Sequence, residues 1–273
     1  TKALTEQTHE GYLYRVDLRL RAEGSVGQLT RSLDEYDKYY RTRGQVWERL
    51  ALLKAWPIAG SQKVGRSFVK LVRPFVLGAP SERSAVEQGL AIVEEVRSVK
   101  DRIDAKMAER GQEQRNVKLG GGGIREIEFF VQTIQALAGS RLPGILDRGT
   151  IGSLARLHNA GILSAKQQSG LTRAYQFLRD VEHKLQMVHD MQTHALPDRQ
   201  DKLERCAIRM GYIGASRSVA LNQFQADHAA HRTVVHDIFR SFFETPKTSK
   251  LFKAMLRAIN KRNRPIRRLK AEG

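Results

Sequence analysis

The chain has 273 residues, of which 41% are hydrophobic, and it contains a single cysteine. This length allows one large domain or two small ones, and one cysteine excludes an internal disulfide framework and suits a reducing compartment. No apolar run reaches transmembrane length, and the first residues lack the apolar segment of a secretory signal. We therefore expect a cytoplasmic protein without a membrane partner. Because the chain starts with Thr1, we also expect a segment of a longer protein.

The formal net charge of +18 is unevenly distributed. Residues 245–273 contain ten Lys and Arg residues and one acid, so this tail alone carries about half of the excess. Such a charge raises nucleic acid or acidic proteins as possible partners. The sequence has no zinc-finger or RNA-recognition motif, and nucleic acid is therefore kept only as an alternative that depends on the tail.

Apolar and polar residues alternate over residues 11–21, GYLYRVDLRLR. Alternation with period two and aromatic content predicts a β-strand. Asp17 lies at the centre of the polar face, with arginines two or four residues away. These charges fit either surface ion pairs of little energetic value or a metal-binding carboxylate with arginines that face phosphate. The spacing alone favours surface ion pairs.

The rest of the chain has helical periodicity, so the predicted fold class is mainly α. Ser32 followed by Glu35 forms a capping-box pattern at the start of the first helix. The predicted helices span residues 33–43, 45–55, 64–76, 85–109, 124–138, 151–160, 164–196, 198–210, 217–244 and 249–262.

Four consecutive glycines interrupt the helical pattern in residues 116–132, NVKLGGGGIREIEFFVQ. Glycines permit a sharp turn or a close approach of another segment. The run lacks the Gly-Lys-Ser/Thr of a P-loop and the spacing of a dinucleotide-binding motif. A helix N-terminus can still bind an anion, but the residues favour a structural joint. Cys206 is predicted to be a small buried apolar residue rather than a nucleophile, and the histidines lack zinc-binding spacing.

Several segments together resemble one family. They are YRVDLRLR, WERLALLKA, RPFV, NVKLGGGGIREIEFFVQ, LTRAYQFLRDVEHKLQ and QTHALP, which occur in this order within residues 11–244. The set is similar to the bifunctional glutamine synthetase adenylyltransferase/deadenylylase family. Its RPFV and NVKLG segments are more similar to the N-terminal, deadenylylating half of those enzymes than to the C-terminal, adenylylating half. The resemblance implies a helical bundle that follows a short β remnant of an α+β nucleotidyltransferase domain.

The resemblance also implies a division of the chain by role. Residues 1–56 would be the C-terminal part of the nucleotidyltransferase domain, 57–119 a helical connector, 120–245 the helical bundle, and 246–273 a basic tail without a counterpart in the family. The family's Gly-Ser and Asp-x-Asp metal motif does not precede Asp17 in this sequence. We therefore expect the chain by itself to be inactive.

Site residues follow from the same resemblance. Asp17 matches the third metal-binding carboxylate of the nucleotidyltransferase core and would bind Mg²⁺. Arg19 and Arg21 match the arginines that follow it and would face phosphate groups. This implication reverses the preference for surface ion pairs that the spacing alone gave.

The resemblance assigns weaker roles to two further groups of residues. Glu48 and Lys54 match positions in the vicinity of the nucleotide or phosphate. Arg125, Glu126 and Glu128 open the helix after the glycines, and they would hold the helical domain near the catalytic unit.

The implied activity is the addition and removal of AMP on a tyrosine of glutamine synthetase, which regulates nitrogen metabolism. Phosphorolysis is the favoured direction, with phosphate as a substrate, ADP as the product, ATP in the reverse reaction and Mg²⁺ as cofactor. The implied partners are glutamine synthetase and a PII signalling protein. A different reading is a non-catalytic helical module that docks either of these proteins.

Overall fold

A computed structural model describes residues 16–78, 85–188 and 193–262, together with Glu6, His9 and Gly11. The chain divides into two compact units, which we call the N-terminal unit, Thr1–Ala79, and the C-terminal unit, Pro80–Gly273. Helices dominate both units. Within these described ranges, no helix is both long enough and apolar enough to cross a membrane. The division by role at residues 56, 119 and 245 stays a prediction.

Three helices form the described part of the N-terminal unit: α1 (Leu33–Thr42), α2 (Val46–Leu52) and α3 (Gln62–Leu77). The predicted capping box is confirmed, since the Ser32 hydroxyl accepts from the Glu35 amide and the Glu35 carboxylate accepts from the Ser32 amide. Helix α3 packs on α1 and α2. Aromatic contacts between Tyr36 and Phe68 and between Tyr40 and Phe75 join α1 to α3, which gives this small unit its apolar core.

Seven helices make up the described part of the C-terminal unit. They are α4 (Ala85–Glu109), α5 (Ile124–Ala138), α6 (Thr150–Asn159), α7 (Ala165–Gln186), α8 (Gln200–Arg209), α9 (Arg217–Phe243) and α10 (Lys250–Arg262). Helix α9 contacts α4, α5, α7, α8 and α10. Helix α10, part of the predicted basic tail, also packs on α5, so the tail is a folded part of this unit as far as Arg262.

Helix α5 lies at the centre of this unit and is buried around almost its whole circumference. Its polar residues must therefore find partners inside the protein. Gln135 does so, because its Nε2 donates to the carbonyls of Ile145 and Asp147 at 3.2 and 2.9 Å and to the Ser153 hydroxyl at 3.0 Å. These bonds fix the loop between α5 and α6 against the core helix.

Nine of the ten predicted helices are confirmed to within three residues at each end. The exception was predicted over residues 164–196, but α7 ends at Gln186. Beyond residues 189–192, which lie outside the described part, the chain runs extended along residues 115–117. The His194 carbonyl accepts from the Val117 amide at 2.8 Å and the Leu196 amide donates to the Arg115 carbonyl at 2.9 Å. This long-range pairing competes with the helix, and apolar spacing cannot reveal it.

The predicted strand over residues 11–21 is not confirmed. Residues 12–15 lie outside the described part, and Arg19 to Glu23 form turns and a bend, so the prediction is wrong there. A strand needs a neighbouring strand to pair its backbone groups, and none lies in the described N-terminal unit. A β remnant of a nucleotidyltransferase domain is therefore not seen in the described residues.

The four glycines form a buried turn between α4 and α5, packed against the backbone of α9. Gly122 has a φ of 71°, and a Cβ atom there would lie 2.3 Å from the Arg232 carbonyl oxygen. Arg232 holds the turn from the other side, since its Nε donates to the Gly121 carbonyl at 2.7 Å and its Nη2 to the Glu113 carbonyl at 3.1 Å. The predicted structural joint is thus a close contact with α9, and only glycine fits at Gly122.

Two alanine substitutions in the turn should therefore differ strongly. A Cβ at Gly121 would meet only His236 atoms at 3.7 Å, which is ordinary contact, whereas one at Gly122 would be strained and would collide with backbone. We expect Gly122→Ala to destabilise the chain by about 3 kcal/mol and Gly121→Ala by less than about 1 kcal/mol. Urea unfolding followed by circular dichroism measures both, and equal losses would contradict the proposed contact.

Candidate functional site

Asp17 and Arg19 form an exposed ion pair at the start of the described N-terminal unit. The Asp17 carboxylate accepts from the Arg19 backbone amide at 3.0 Å, from its Nε at 2.9 Å and from its Nη2 at 2.6 Å. The Asp17 side chain is 43% exposed and the Arg19 side chain 73%. The hydrogen bonds and charge of Asp17 raise the pKa of Arg19 above its ordinary value. Sequence reasoning placed these two residues in one site, and the structure brings them together.

Arg21 is directed at backbone rather than at solvent. Its Nε donates to the Gly27 carbonyl at 2.7 Å, its Nη2 to the Ser25 carbonyl at 2.8 Å and its Nη1 to the Leu18 carbonyl. A guanidinium that spans three carbonyls fixes the shape of the loop over residues 18–27. In this arrangement Arg21 positions the segment that carries Asp17, and the predicted contact with phosphate would require these bonds to break.

Glu48 is almost fully buried, with 2% of its surface exposed. Its carboxylate accepts from the Tyr39 hydroxyl at 2.9 and 3.0 Å and from the amides of Gln45 and Glu23 at 2.7 and 3.3 Å. These bonds tie α1, α2 and the loop at Glu23 together. The structure therefore gives Glu48 a positioning role inside the unit, while Lys54 lies exposed in the turn after α2.

A magnesium ion is implied by the family resemblance, and Asp17 would be one of its ligands. Both oxygens of Asp17 bind the Arg19 guanidinium. Among the described residues, no group of three or more Asp, Glu, His or Cys side chains is placed to share a metal ion. Mg²⁺ usually takes one or two carboxylates together with water and substrate phosphate. The described residues do not fit the ion by themselves, and further ligands would be needed.

Glu126 lies in the interior of the C-terminal unit, where it is 1% exposed. Lys100 Nζ of α4 lies 3.0 Å from its Oε1, and His236 Nδ1 of α9 lies 3.2 Å from its Oε2. Burial alone would raise the pKa of Glu126, but the hydrogen bond from His236 and the charge of Lys100 outweigh it, and the pKa is lowered. Glu126 therefore joins α4, α5 and α9 within one unit.

The neighbours of Glu126 at the start of α5 lie nearer the surface. Arg125 pairs with Glu128 at 3.2 Å, with 33% and 13% of their side chains exposed. The Arg125 guanidinium also stacks over the Phe129 ring at 5.5 Å. The predicted role of these residues between domains stays a prediction.

A second buried carboxylate, Glu182 of α7, is surrounded by basic side chains. Arg179 Nη1 lies 2.6 Å from its Oε2, and His194 Nδ1 and Lys118 Nζ lie 2.9 and 3.4 Å from its Oε1. Burial acts to raise the pKa of Glu182, but the hydrogen bond from His194 and the charges of Lys118 and Arg179 lower it to about 2. Lys118 belongs to the segment before the glycines, so this cluster anchors the turn to α7 and to the extended segment at His194.

Sequence reasoning missed most members of these two clusters. It selected Glu126 but not Glu182, Lys100, His194 or His236, because their partners are far apart in the chain. The available signal was the presence of single charges on otherwise apolar helix faces, as at Lys100 and Glu182. Cys206 is fully buried, as predicted, and burial raises the pKa of its thiol.

Comparison with known proteins assigns the two parts of the chain to family models. Residues 1–71 match the model described as Glutamate-ammonia ligase adenylyltransferase. Residues 97–243, more than half of the chain, match the model described as GlnD PII-uridylyltransferase. The second match covers most of the described C-terminal unit, including both ion clusters and the glycine turn.

Curated relatives cover most of the chain. Bifunctional glutamine synthetase adenylyltransferase/adenylyl-removing enzymes from Agrobacterium fabrum and Rhizobium meliloti are 41% and 42% identical over 216 and 228 residues, or 77% and 81% of this chain. The Bartonella henselae enzyme of the same name is 38% identical over 245 residues, or 89% of the chain. The chain belongs to the glutamine synthetase adenylyltransferase family. It spans only 21% to 24% of the length of these family members.

The cluster around Glu182 should control acid stability. Its folded-state pKa of about 2 lies below the ordinary value of 4.5, so its stabilisation is present above about pH 4.5 and is lost as the pH falls towards 2. The full effect is about 3 kcal/mol. We expect Glu182→Gln to lose about this amount at pH 7 and to show a smaller further loss between pH 7 and pH 3 than the unchanged chain.

Urea unfolding at several pH values measures this effect, with Glu94→Gln as the matched control. Glu94 lies on α4, is 62% exposed and pairs with Arg97, so its replacement should cost less than about 0.5 kcal/mol. Equal effects of the two substitutions would show that the Glu182 cluster is not a buried ion network.

Two histidines of α9 should titrate far apart. The hydrogen bond to Glu126 raises the pKa of His236 above 6.5, whereas burial, with the nearby charges of Arg232 and His231, lowers the pKa of His228 to about 4. Two-dimensional NMR of the imidazole C–H groups should show both midpoints. Glu126→Gln should lower the titration midpoint of His236 and leave that of His228 nearly unchanged. An unchanged midpoint of His236 would contradict its pairing with Glu126.

Proposed function

We propose that this chain is a segment of an enzyme that adds AMP to glutamine synthetase and removes it again. The observation that carries the proposal is the identity of about 40% to curated enzymes of that name over most of the chain. The match of residues 1–71 to the adenylyltransferase model supports it independently of the C-terminal unit. The segment would act in the cytoplasm, in the control of nitrogen assimilation.

Within that activity, we propose that the segment belongs to the deadenylylating half. An oxygen of inorganic phosphate would attack the phosphorus of the AMP group carried by a tyrosine of glutamine synthetase. The bond from phosphorus to the tyrosine oxygen would break, the tyrosine hydroxyl would regain a proton, and ADP would leave. The segments RPFV and NVKLG, which resemble that half, support this choice.

The N-terminal unit would supply part of the catalytic site. Asp17 would contribute one carboxylate of a Mg²⁺ site whose other ligands come from the parent enzyme, and Mg²⁺ would supply charge neutralisation at the phosphates. Arg19 holds the Asp17 carboxylate at 2.6 Å and would neutralise it while the site is incomplete. Arg21 and Glu48 would act as positioning residues, and Lys54 would lie in the vicinity of phosphate.

The C-terminal unit would recognise a protein partner. The support is the match of residues 97–243 to a model described as a PII-uridylyltransferase, since both family descriptions name a protein as the substrate, PII in one and glutamate-ammonia ligase in the other. Glutamine synthetase and a PII signalling protein are therefore the two proposed partners. If the chain has no catalytic role at all, docking of one of these proteins remains as its function.

The role of Asp17 is testable in the full-length parent enzyme that contains this chain. We expect Asp17→Asn to lower the rate of ADP formation from adenylylated glutamine synthetase and phosphate by about 100-fold or more, because a lost metal carboxylate is worth at least about 3 kcal/mol of transition-state stabilisation. The 273-residue chain alone should show no turnover.

The matched control is Asp34→Asn, which makes the same chemical change at an exposed position of α1. It should retain nearly full activity. Undiminished activity of Asp17→Asn would exclude Asp17 from the catalytic site, and turnover by the isolated chain would exclude the need for further ligands.

A further inference from the structure

A cleft of about 580 Å³ lies within the C-terminal unit. It is formed by the 3₁₀ turn Pro143–Ile145, the end of α6 and the end of α10. Pockets that bind small molecules typically have volumes of about 300–1,000 Å³. None of its lining residues belongs to the glycine turn or to either ion cluster. The cleft therefore has no part in the structural contacts or in the proposed chemistry described above.

The lining of the cleft includes apolar side chains that are almost fully buried. Leu142 and Ile145 line it, and only 7% and 2% of their surfaces are exposed. Ala160, which directly follows α6, and Ala258 of α10 add small side chains. Gly144 also lines the cleft, and a Cβ atom there would have no heavy atom within 4 Å. The space beside Gly144 is thus open, and an apolar group of a ligand could occupy it.

Two cations from different helices line the same cleft: Arg156 of α6 and Lys261 of α10. Arg156 is held in place, because its Nε donates to Asp147 Oδ2 at 3.0 Å and its Nη1 to the Gly144 carbonyl at 3.3 Å. Asp147 also accepts from the Gly149 amide at 2.8 Å. A guanidinium fixed in this way loses little conformational freedom when a further anion binds.

The charge of α10 favours anions at this end of the unit. From Thr245 to Arg262 the sequence has six Lys and Arg residues and no acid. Cations at steps of three and four residues form an exposed row opposite the buried face of the helix: Lys250, Lys253, Arg257 and Lys261. None of the four forms a salt bridge with a residue in the described part of the chain. The row ends at the cleft, and its field would raise the local concentration of anions.

We propose that this cleft binds a small organic anion with an apolar body. Lys261 and Arg156 would bind the charged end, and Leu142, Ile145 and the open space beside Gly144 would take the apolar body. This combination of an apolar lining and a few placed charges is that of a ligand site rather than a packing defect. The proposal does not depend on the enzymatic activity, since every lining residue belongs to the C-terminal unit.

The test measures binding of two matched probes, 2-naphthoate and its neutral analogue 2-naphthamide, to the intact chain by equilibrium dialysis. We expect 2-naphthoate to bind about tenfold more tightly, because only the carboxylate forms charge-assisted bonds. Lys261→Gln should remove most of this difference and leave binding of 2-naphthamide unchanged. Lys250→Gln, about 16 Å away along the same helix, should weaken 2-naphthoate binding less than twofold.

A variant that fills the cleft tests the location. Gly144→Leu adds a side chain into open space at a position without a left-handed φ, so the fold should tolerate it, and binding of both probes should fall at least tenfold. Circular dichroism measures whether Gly144→Leu is folded. If it is not, the comparison of Lys261→Gln with Lys250→Gln tests whether 2-naphthoate binds in the cleft. Equal affinity for both probes, or equal effects of Lys250→Gln and Lys261→Gln, would overturn the proposal.

Discussion

The C-terminal unit depends on one close contact, between the backbone of the glycine turn and the backbone of α9. At Gly122 this contact leaves no room for a side chain, since a Cβ atom would lie 2.3 Å from the Arg232 carbonyl oxygen. Arg232 then donates to the carbonyls of Glu113, Gln114 and Gly121. The turn is thereby fixed to α9 by both its steric fit and its hydrogen bonds, and α5 starts in a defined direction.

Two buried carboxylates extend this arrangement to the remaining helices. Glu126 connects the start of α5 to α4 and α9 through Lys100 and His236. Glu182 connects α7 to the segment before the glycines through Lys118. Buried ion pairs add little net stability compared with apolar packing, but leaving one partner unpaired is costly. Such pairs therefore penalise alternative packings of these amphipathic helices, which apolar contacts alone would tolerate.

The two units differ in what their charged residues do. In the N-terminal unit Arg21 and Glu48 bind backbone and buried groups, whereas Asp17 and Arg19 stay exposed. Asp17 and Arg19 form an exposed ion pair on a loop whose shape Arg21 fixes. This arrangement suits a metal site that needs further ligands, as we propose for the nucleotidyltransferase reaction. In the C-terminal unit Glu126 and Glu182 form internal ion pairs, and α10 carries an exposed row of cations. That distribution suits the recognition of a protein partner that we propose for this unit.

Local sequence patterns were enough to predict nearly all the helices, because each amphipathic helix has its own apolar period and most have a recognisable start or stop signal. They also predicted the family, through short segments in a fixed order, and the glycine turn as a joint. Two local predictions were wrong for the same reason. The strand predicted at Arg19–Arg21 has no neighbouring strand among the described residues of its unit, and the end of the helix predicted over residues 164–196 pairs with Arg115 and Val117 instead.

Which charged residues lie inside depends on how the helices pack against one another. Glu182 stands out in the sequence only as a single charge on an apolar helix face, and the partners of Glu126 and Glu182, among them Lys100, His236 and His194, are distant in the chain. The tertiary structure also shows that Arg21 binds carbonyls and that the apolar residues near Gly144 form a cleft beside Lys261. Apolar periodicity describes one helix at a time. The burial of a charged side chain, its ion pairs and the space of a cleft depend on contacts between helices that are far apart in the chain, and a local pattern does not show which helices meet.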